Sequence, residues 1–228
     1  MIMDHYEFLA KLYEITKPRV YLEIGVQAGK SLELALPHAG KIAGVDIDTS
    51  NAMHVGGLRV GLYECTSYDF FHVHVPDFVN PETDESELDL VLIDGSHLIE
   101  DVWQDFLGAE TLAGPRTIIC FDDVLPRNNY EATREAHEGA WAGDTWKIWG
   151  LLQERRPTME MHLVDVQPCG KLIVFPNSLD PRMPPEREIA WDVICDYMPV
   201  PNEILTRADA IDPEEAFSMV RAWLEQAS

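Results

Sequence analysis

The chain has 228 residues, of which 46% are hydrophobic and 25% are charged, which is typical of a folded globular protein and excludes a disordered chain. Seventeen lysines and arginines stand against forty aspartates and glutamates, so the formal net charge is −23. Because a field of this sign repels phosphate groups and anionic lipids, we expect a small-molecule partner and neither nucleic acid nor a membrane.

The predicted elements alternate between strands and helices, as in a parallel sheet with helices on both faces. Strands are predicted at Val20–Ile24, Ile42–Val45, Leu58–Tyr63, Leu88–Ile93, Thr117–Phe121, Met161–Val166 and Leu172–Phe175. Helices are predicted at Lys30–Leu36, Ser50–Val55, Tyr68–His72, His97–Leu107 and Thr145–Arg155. Only Gln167–Lys171 separates the last two strands, too short a connection for a crossover helix, which predicts an antiparallel hairpin. The predicted fold class is α/β, a Rossmann-like, doubly wound sheet of seven strands that is mostly parallel and has an antiparallel C-terminal edge hairpin.

One main domain and a C-terminal helical extension are predicted. The main domain covers residues 1–178 and includes an N-terminal helix, and the extension covers residues 179–228. A proline-rich stretch without periodicity, Asn177–Pro185, lies between them. Two helices are predicted in the extension, at Glu186–Cys195 and at Pro213–Gln226, the second with Asp212 as N-cap. The extension could cover an active site, form a dimer contact or complete the core, which leaves a homo-oligomer open.

The N-terminus and the cysteines indicate a cytoplasmic protein. The first fifteen residues mix acidic and apolar side chains and lack the basic start and apolar run of a signal peptide. No apolar run reaches the length of a membrane span. The four cysteines lie far apart without a CxxC pair, which favours reduced thiols over disulfides or zinc.

The sequence YLEIGVQAGKS, residues 21–31, predicts a glycine turn between the first strand and the following helix. Gly25 and Gly29 would let the backbone approach a ligand where a Cβ would collide. A dinucleotide diphosphate is usually bound by GxGxxG, but Gln27 occupies the place of the middle glycine and Glu23 precedes the turn. A cationic ligand therefore fits this turn better than a diphosphate.

Asp46 ends the second strand about twenty residues further on, the usual distance to an acid that binds ribose hydroxyls. The alternative is that Glu23 and Asp46 are ordinary polar strand ends and that the glycines are ordinary turn residues. The two acids at this spacing favour the ligand-binding interpretation.

The motif resembles the ExGxxxGxS cofactor motif of class I S-adenosylmethionine-dependent methyltransferases, especially the metal-dependent O-methyltransferases of the catechol and caffeoyl-CoA types, macrolide-sugar methyltransferases and cephalosporin-hydroxylase-like domains. The resemblance covers about residues 21–175, and it implies S-adenosyl-L-methionine as the cofactor. The methionine amine would lie near Glu23, the ribose near Asp46 and the adenine near Thr66–Tyr68. The full set of cofactor-binding residues that the resemblance implies is Glu23, Gly25, Gly29, Ser31, Asp46, Thr66, Ser67, Tyr68 and Asp94.

Three aspartates follow neighbouring strands of the predicted sheet. Asp94 ends the fourth strand, and Asp122 and Asp123 end the fifth. Because parallel strands bring their C-terminal ends to one crevice, these carboxylates should converge and would repel one another unless they share a cation or keep a proton. A hard divalent ion such as Mg²⁺ suits this all-oxygen set. Alternatively, Asp94 caps the next helix and the other two bind the following loop.

His97 stands three residues after Asp94, where its imidazole could take a proton from a substrate hydroxyl. In metal-dependent O-methyltransferases, which this arrangement resembles, a lysine or histidine base often follows the first metal aspartate by three residues. The string Asp-Gly-Ser-His is most similar to the macrolide-sugar group. The chain has Asp122-Asp123 where the catechol group has Asp-Asn, which leaves the third ligand and the metal open.

The loops Leu125–Tyr130 and Trp141–Lys147 combine aromatic, acidic and basic side chains, as in sites for small organic molecules. The sequence thus predicts a methyltransferase that acts on a hydroxyl of a small molecule, assisted by a divalent metal. Two alternatives stay open: a metal-dependent oxygenase or hydroxylase on the same fold, and an inactive protein that binds S-adenosyl-L-methionine and acts through interactions.

Overall fold

The computed structural model describes residues 3–79, 85–176 and 189–227. The strands are β1 (Val20–Ile24), β2 (Lys41–Asp46), β3 (Val60–Glu64), β4 (Leu88–Ile93), β5 (Ala113–Asp122), β6 (Glu160–Val164) and β7 (Lys171–Phe175). The α-helices are α1 (His5–Thr16), α2 (Lys30–Ala35), α3 (Ser67–Asp69), α4 (Val75–Phe78), α5 (Ile99–Thr111), α6 (Lys147–Arg155), α7 (Trp191–Ile194), α8 (Asn202–Thr206) and α9 (Pro213–Gln226). A 3₁₀ helix covers Ser50–Val55, and a π-helix, Phe70–His74, joins α3 to α4.

The seven strands form one sheet in the order β3-β2-β1-β4-β5-β7-β6. The first five strands in the chain pair in parallel, whereas β7 pairs antiparallel with both β5 and β6. The predicted fold class, including the antiparallel edge hairpin, is therefore confirmed. The order reverses between β1 and β4, so the C-terminal ends of these two strands border the crevice where ligands bind in open α/β sheets.

Both faces of the sheet are covered, which explains why β1 and β4 are apolar along nearly their whole length. One face packs on α1, α2 and α9, where the rings of Phe8 and Phe217 stack with centroids 5.0 Å apart. The other face packs on α5 and α6 through side chains such as Trp103 and Leu152. The burial of these side chains stabilises the fold at roughly 1.5–3 kcal/mol for each large apolar residue.

Several helices differ from their predicted form. The stretch Ser50–Val55 is a 3₁₀ helix, and the predicted helix Tyr68–His72 lies within the longer run from α3 to α4. The helix predicted from His97 begins at Ile99, because His97 has a left-handed backbone with φ of 59°. This conformation cannot belong to a right-handed helix.

The C-terminal part contains α9 as predicted, with the carboxylate of Asp212 accepting hydrogen bonds from the first-turn amides of Glu214 and Glu215. The helix predicted at Glu186–Cys195 is shorter where it is described, at Trp191–Ile194, and α8 was not predicted. The linker Asn177–Pro185 and the boundary at residue 178 lie outside the described residues. Among the helices that are described, none is long and apolar enough to cross a membrane.

Candidate active site

The loop after β1 passes directly over the end of β4. Gly25 has a φ of 88°, and a Cβ on it would lie 1.9 Å from the carbonyl oxygen of Asp94. Gly29 has a φ of 74° and is the N-cap of α2. Both glycines are therefore required by the backbone itself, and the close approach at Gly25 is to β4.

Asp46 holds this loop in place from the end of β2. One carboxylate oxygen, Oδ2, accepts hydrogen bonds from the backbone amides of Val26 (2.8 Å) and Gln27 (2.9 Å). The other oxygen accepts one from the amide of Asp48 at 3.1 Å. Asp46 thus shapes the cofactor loop of the predicted site, and its contact with a ribose stays a prediction.

Glu23 is completely buried beneath the loop. Its carboxyl group accepts hydrogen bonds from the hydroxyls of Tyr21 (2.7 Å) and Ser31, and the Tyr21 hydroxyl also lies 2.7 Å from that of Tyr13. Burial raises the pKa of Glu23 to about 8, although the hydrogen bonds from Ser31 and Tyr21 oppose this shift. Since Glu23 has no exposed surface, any effect on a ligand amine would pass through Ser31, which is half-buried.

The segment predicted near the adenine begins with Thr66, whose hydroxyl accepts a hydrogen bond from the amide of Asp69. The side chain of Ser67 is hydrogen-bonded to Asp105 of α5, whose pKa burial raises to about 7. Tyr68 is exposed and stacks on His72 with ring centroids 4.0 Å apart. Tyr68, His72 and Asp105 line a cavity of about 260 Å³, whereas Thr66 and Ser67 do not.

The structure brings Asp94, Asp122 and Asp123 together at the ends of β4 and β5. Potential ligand atoms of Asp94, His97 and Asp123 all lie within 4.8 Å of one another, and the same holds for His5, Asp94 and Asp122. Asp94 therefore belongs to two adjacent groups. Asp94 does not cap α5. The N-cap position of that helix has no side-chain cap, and the amide of Ile99 donates instead to Asp144 at 2.9 Å.

Asp122 already has a cation beside it, which the sequence did not reveal. Its Oδ1 forms an ion pair with the ammonium of Lys171, the first residue of β7, and Oδ2 lies 2.6 Å from Nδ1 of His5. Lys171 is 1% exposed. Burial of Asp122 would raise its pKa, but the charge of Lys171 outweighs this effect and holds the pKa below its usual range. Of the three predicted ligands, Asp122 is thus the one that a metal would have to share with a lysine.

Helix α1 contributes to the site through its first turn. His5 contacts Asp122, and the ring of the neighbouring Tyr6 lies under the ammonium of Lys30, 3.6 Å from its centroid. The pKa of Tyr6 is raised by burial and by the charges of Asp94 and Asp122, which places its hydroxyl in the same negative field. The predicted N-terminal helix is therefore part of the site as well as of the core.

His97 lies between two carboxylates. Nε2 is 3.2 Å from Oδ1 of Asp94, while Nδ1 is 3.3 Å from the carbonyl oxygen of Trp141 and 3.4 Å from Oδ2 of Asp123. Its ring stacks on Trp141 at 5.3 Å. Burial lowers the pKa of His97, but the hydrogen bond to Asp94 and the charges of Asp123 and Asp94 outweigh it and raise the pKa to about 9. This shift favours the imidazolium form of His97, whereas the predicted base role requires a neutral ring.

Asp123 completes the cluster. Its backbone is left-handed, with a φ of 57°, and its pKa is raised to about 8 by burial and by the charges of Asp122 and Asp94. The repulsion expected among the aspartates is thus relieved in part by the ammonium of Lys171 and by the imidazole of His97.

The donors present fit a divalent metal. Asp94 and Asp123 provide carboxylate oxygens, and burial, followed by the charge of Asp122, raises the pKa of each. Hard cations prefer such oxygen ligands, whereas the additional nitrogen of His97 is also compatible with transition metals. The geometry therefore favours Asp94 and Asp123 over Asp122 as ligands.

Residues of the two predicted substrate loops border a cavity of about 390 Å³. Tyr130, Arg134, Trp146, Lys147 and Tyr197 are among its lining residues, and none of the three aspartates of the cluster lines it. Arg134 is bound to Glu100 and Asp144, so it does not offer a free positive charge. The cavity is thus lined by aromatic side chains together with charged ones of both signs.

Comparisons with known proteins agree with this architecture. Residues 22–124 match the sequence profile of a methyltransferase domain family, and no curated protein sequence matches the chain. The chain resembles the structure of TomG, an O-methyltransferase of tomaymycin synthesis from Streptomyces achromogenes, in complex with SAM, with 20% identity and a TM-score of 0.56 over 75% of this chain and 78% of that one. It also resembles the O-methyltransferase from Bacillus cereus in complex with SAH, with 19% identity and a TM-score of 0.55 over 75% and 80% of the two chains.

A third similar structure is MycE, a methyltransferase of the mycinamycin pathway in complex with Mg, SAH and mycinamycin VI. It shares 19% identity and a TM-score of 0.50 over 73% of this chain and 47% of its own. The sequence-based resemblance to class I methyltransferases is therefore confirmed. At these identities the solved structures establish the fold, and the chemistry depends on the residues of the site.

Proposed function

We propose that this chain, which matches a methyltransferase domain over residues 22–124, transfers a methyl group from S-adenosyl-L-methionine to a hydroxyl of a small molecule with the help of a divalent metal. The observation that carries the proposal is the cluster of Asp94, His97 and Asp123 at the ends of β4 and β5, next to the glycine loop. SAM or SAH in two of the similar structures and Mg in MycE support it.

In this proposal the loop Gly25–Gly29, with Asp46 and Ser31, holds the cofactor, and Ser67 and Tyr68 border the adenine. Asp94 and Asp123 hold the metal. When bound, the cofactor supplies an electrophilic methyl group, and the metal polarises the acceptor oxygen.

The chain's own residues orient the acceptor and handle its proton. His97 lies within hydrogen-bonding distance of Asp94, and we assign to its neutral form the role of taking the acceptor's proton. Trp141 covers one face of the imidazole and limits the access of water to it. The free cysteines support our proposal of a cytoplasmic location, and the strongly negative charge supports a small-molecule acceptor over nucleic acid.

The test is a transfer assay with methyl-labelled S-adenosyl-L-methionine and a panel of sugar hydroxyls and catechols. With an acceptor found, His97→Gln should reduce turnover by roughly 10²- to 10⁴-fold, as expected for a lost general base, without weakening cofactor binding. Glu225→Gln on the exposed side of α9 is the control and should behave like the parent. Near-parental turnover of His97→Gln would remove His97 from the mechanism. Cofactor binding without transfer to any acceptor would favour a binding protein, and iron-dependent oxygen consumption would favour a hydroxylase.

A further inference from the structure

The segment Gly143–Lys147 lies outside the metal cluster, yet it fixes the backbone of His97. Gly143 has a φ of 58°, and a Cβ on it would lie 2.0 Å from the carbonyl oxygen of His97. The next amide, that of Asp144, donates a hydrogen bond to the same carbonyl at 3.1 Å. Because His97 itself has a left-handed backbone, these contacts help to stabilise a conformation that a non-glycine residue rarely adopts.

The side chain of Asp144 extends this support to α5. The residue is 1% exposed, and its Oδ1 accepts the hydrogen bond of the Ile99 amide at 2.9 Å. Asp144 thus binds the chain on both sides of residue 98, through His97 and through the start of α5. His97 cannot shift relative to α5 without breaking one of these bonds.

The other oxygen of Asp144 connects it to the C-terminal part of the chain. Oδ2 accepts hydrogen bonds from Arg134 at 2.6 Å and from the ammonium of Lys147 at 3.0 Å. The same ammonium donates to the carbonyl oxygens of Ile194 at 2.6 Å and of Asp196 at 3.1 Å. All three protons of this buried lysine are therefore used, one on Asp144, one on the last residue of α7 and one on Asp196.

The segment 191–200 also borders the cavity next to the two predicted substrate loops. Tyr197 and Met198 line the cavity of about 390 Å³ together with Lys147, and the amide of Val200 donates to Asn129 of the first substrate loop at 2.8 Å. A molecule that enters the cavity therefore contacts the same segment whose carbonyls hold Lys147.

We infer that Asp144 is a positioning residue for His97 and that Lys147 makes this positioning depend on the carbonyls of Ile194 and Asp196, next to Tyr197 and Met198, which line the cavity. The importance of this alignment for turnover rests on the proposed function, but the alignment itself does not. An acceptor that presses on Tyr197 or Met198 would thus act on His97 through a continuous path of hydrogen bonds.

Amide hydrogen exchange measured by NMR on the full chain without ligand tests the inference. In Lys147→Met, the amides of Ile99 and Asp144 should exchange roughly tenfold faster relative to amides of β4, which report global opening, because Asp144 loses a charged partner. Lys147→Arg should restore much of the protection. The matched control is Asn129→Ala, which releases Val200 but leaves Lys147 in place, so that exchange should increase at Val200 and not at Ile99.

Unchanged protection of Ile99 and Asp144 in Lys147→Met would overturn the inference, as would an equal loss in Asn129→Ala. If Lys147→Met does not fold, Lys147→Gln is assessed by the same criteria. Because no cofactor or acceptor is present, a negative result here does not depend on whether the protein transfers methyl groups. Conversely, failure of the transfer assay leaves the exchange result intact.

Discussion

The buried carboxyl group of Glu23 leads to a specific prediction about how stability depends on pH. Its pKa is raised from 4.5 to about 8 by burial, so the folded protein holds this proton more tightly than the unfolded chain does. The stabilisation from the proton is complete below the unfolded pKa and is lost as the pH rises through the folded one. Integrated between about pH 6 and about pH 9, the loss from this one group is ~2.7 kcal/mol.

Glu23→Gln keeps the shape of the side chain and removes its titration. The free energy of unfolding is measured with urea at both pH values. Its decrease from the lower to the higher pH should be ~2–3 kcal/mol smaller in the variant than in the parent. Other groups with raised pKa values, His97 and Asp123, contribute equally to both proteins and cancel in the comparison. The control is Glu225→Gln, an exposed acid, which should show the parental slope. Equal slopes in Glu23→Gln and the parent would refute the assignment of Glu23 as a buried, protonated acid.

Two further predictions concern the charges of the site. Lys171→Met leaves Asp122 buried without its ammonium partner and should lower the free energy of unfolding by ~3–5 kcal/mol, whereas Lys171→Met combined with Asp122→Asn should recover part of the loss. A single variant as stable as the parent in urea would contradict the buried pair. Mg²⁺, Mn²⁺ or Ca²⁺ should raise the melting temperature by mass action, stabilising the fold by ~2.7 kcal/mol at a hundred times the Kd, and Asp94→Ala should abolish the shift. A melting temperature indifferent to millimolar ions would leave these aspartates a structural role.

The sheet could be predicted from the sequence because each strand is a short apolar run with a clear end. The crevice followed from the same pattern, since Asp46 and Asp122 end their strands and Asp94 directly follows β4. The predicted ends of helices were less accurate where the backbone conformation of single residues decides them, as at His97. Its left-handed φ depends on contacts with Gly143, some forty-five residues away, which no local pattern encodes.

The compensating charges of the site could not be predicted for a related reason. Lys171 opposes Asp122 only through the antiparallel register of β5 and β7, and His5 reaches the same carboxylate from the first helix. Lysine at a strand start and histidine at a helix start are common surface residues, so neither carried a signal. The direction of the pKa shift of His97 could not be predicted either, because it depends on how near Asp94 and Asp123 lie.

The central claim is that the crevice beyond β1 and β4 binds S-adenosyl-L-methionine. Titration calorimetry with S-adenosylhomocysteine tests it most directly, because the measurement needs neither an acceptor nor a metal. The account predicts one binding site per chain with a Kd on the order of 1–10 μM, since such sites bury most of a small ligand, and weaker binding by Asp46→Ala and Glu23→Ala. Absence of binding at millimolar ligand, or unchanged affinity in both variants, would contradict it.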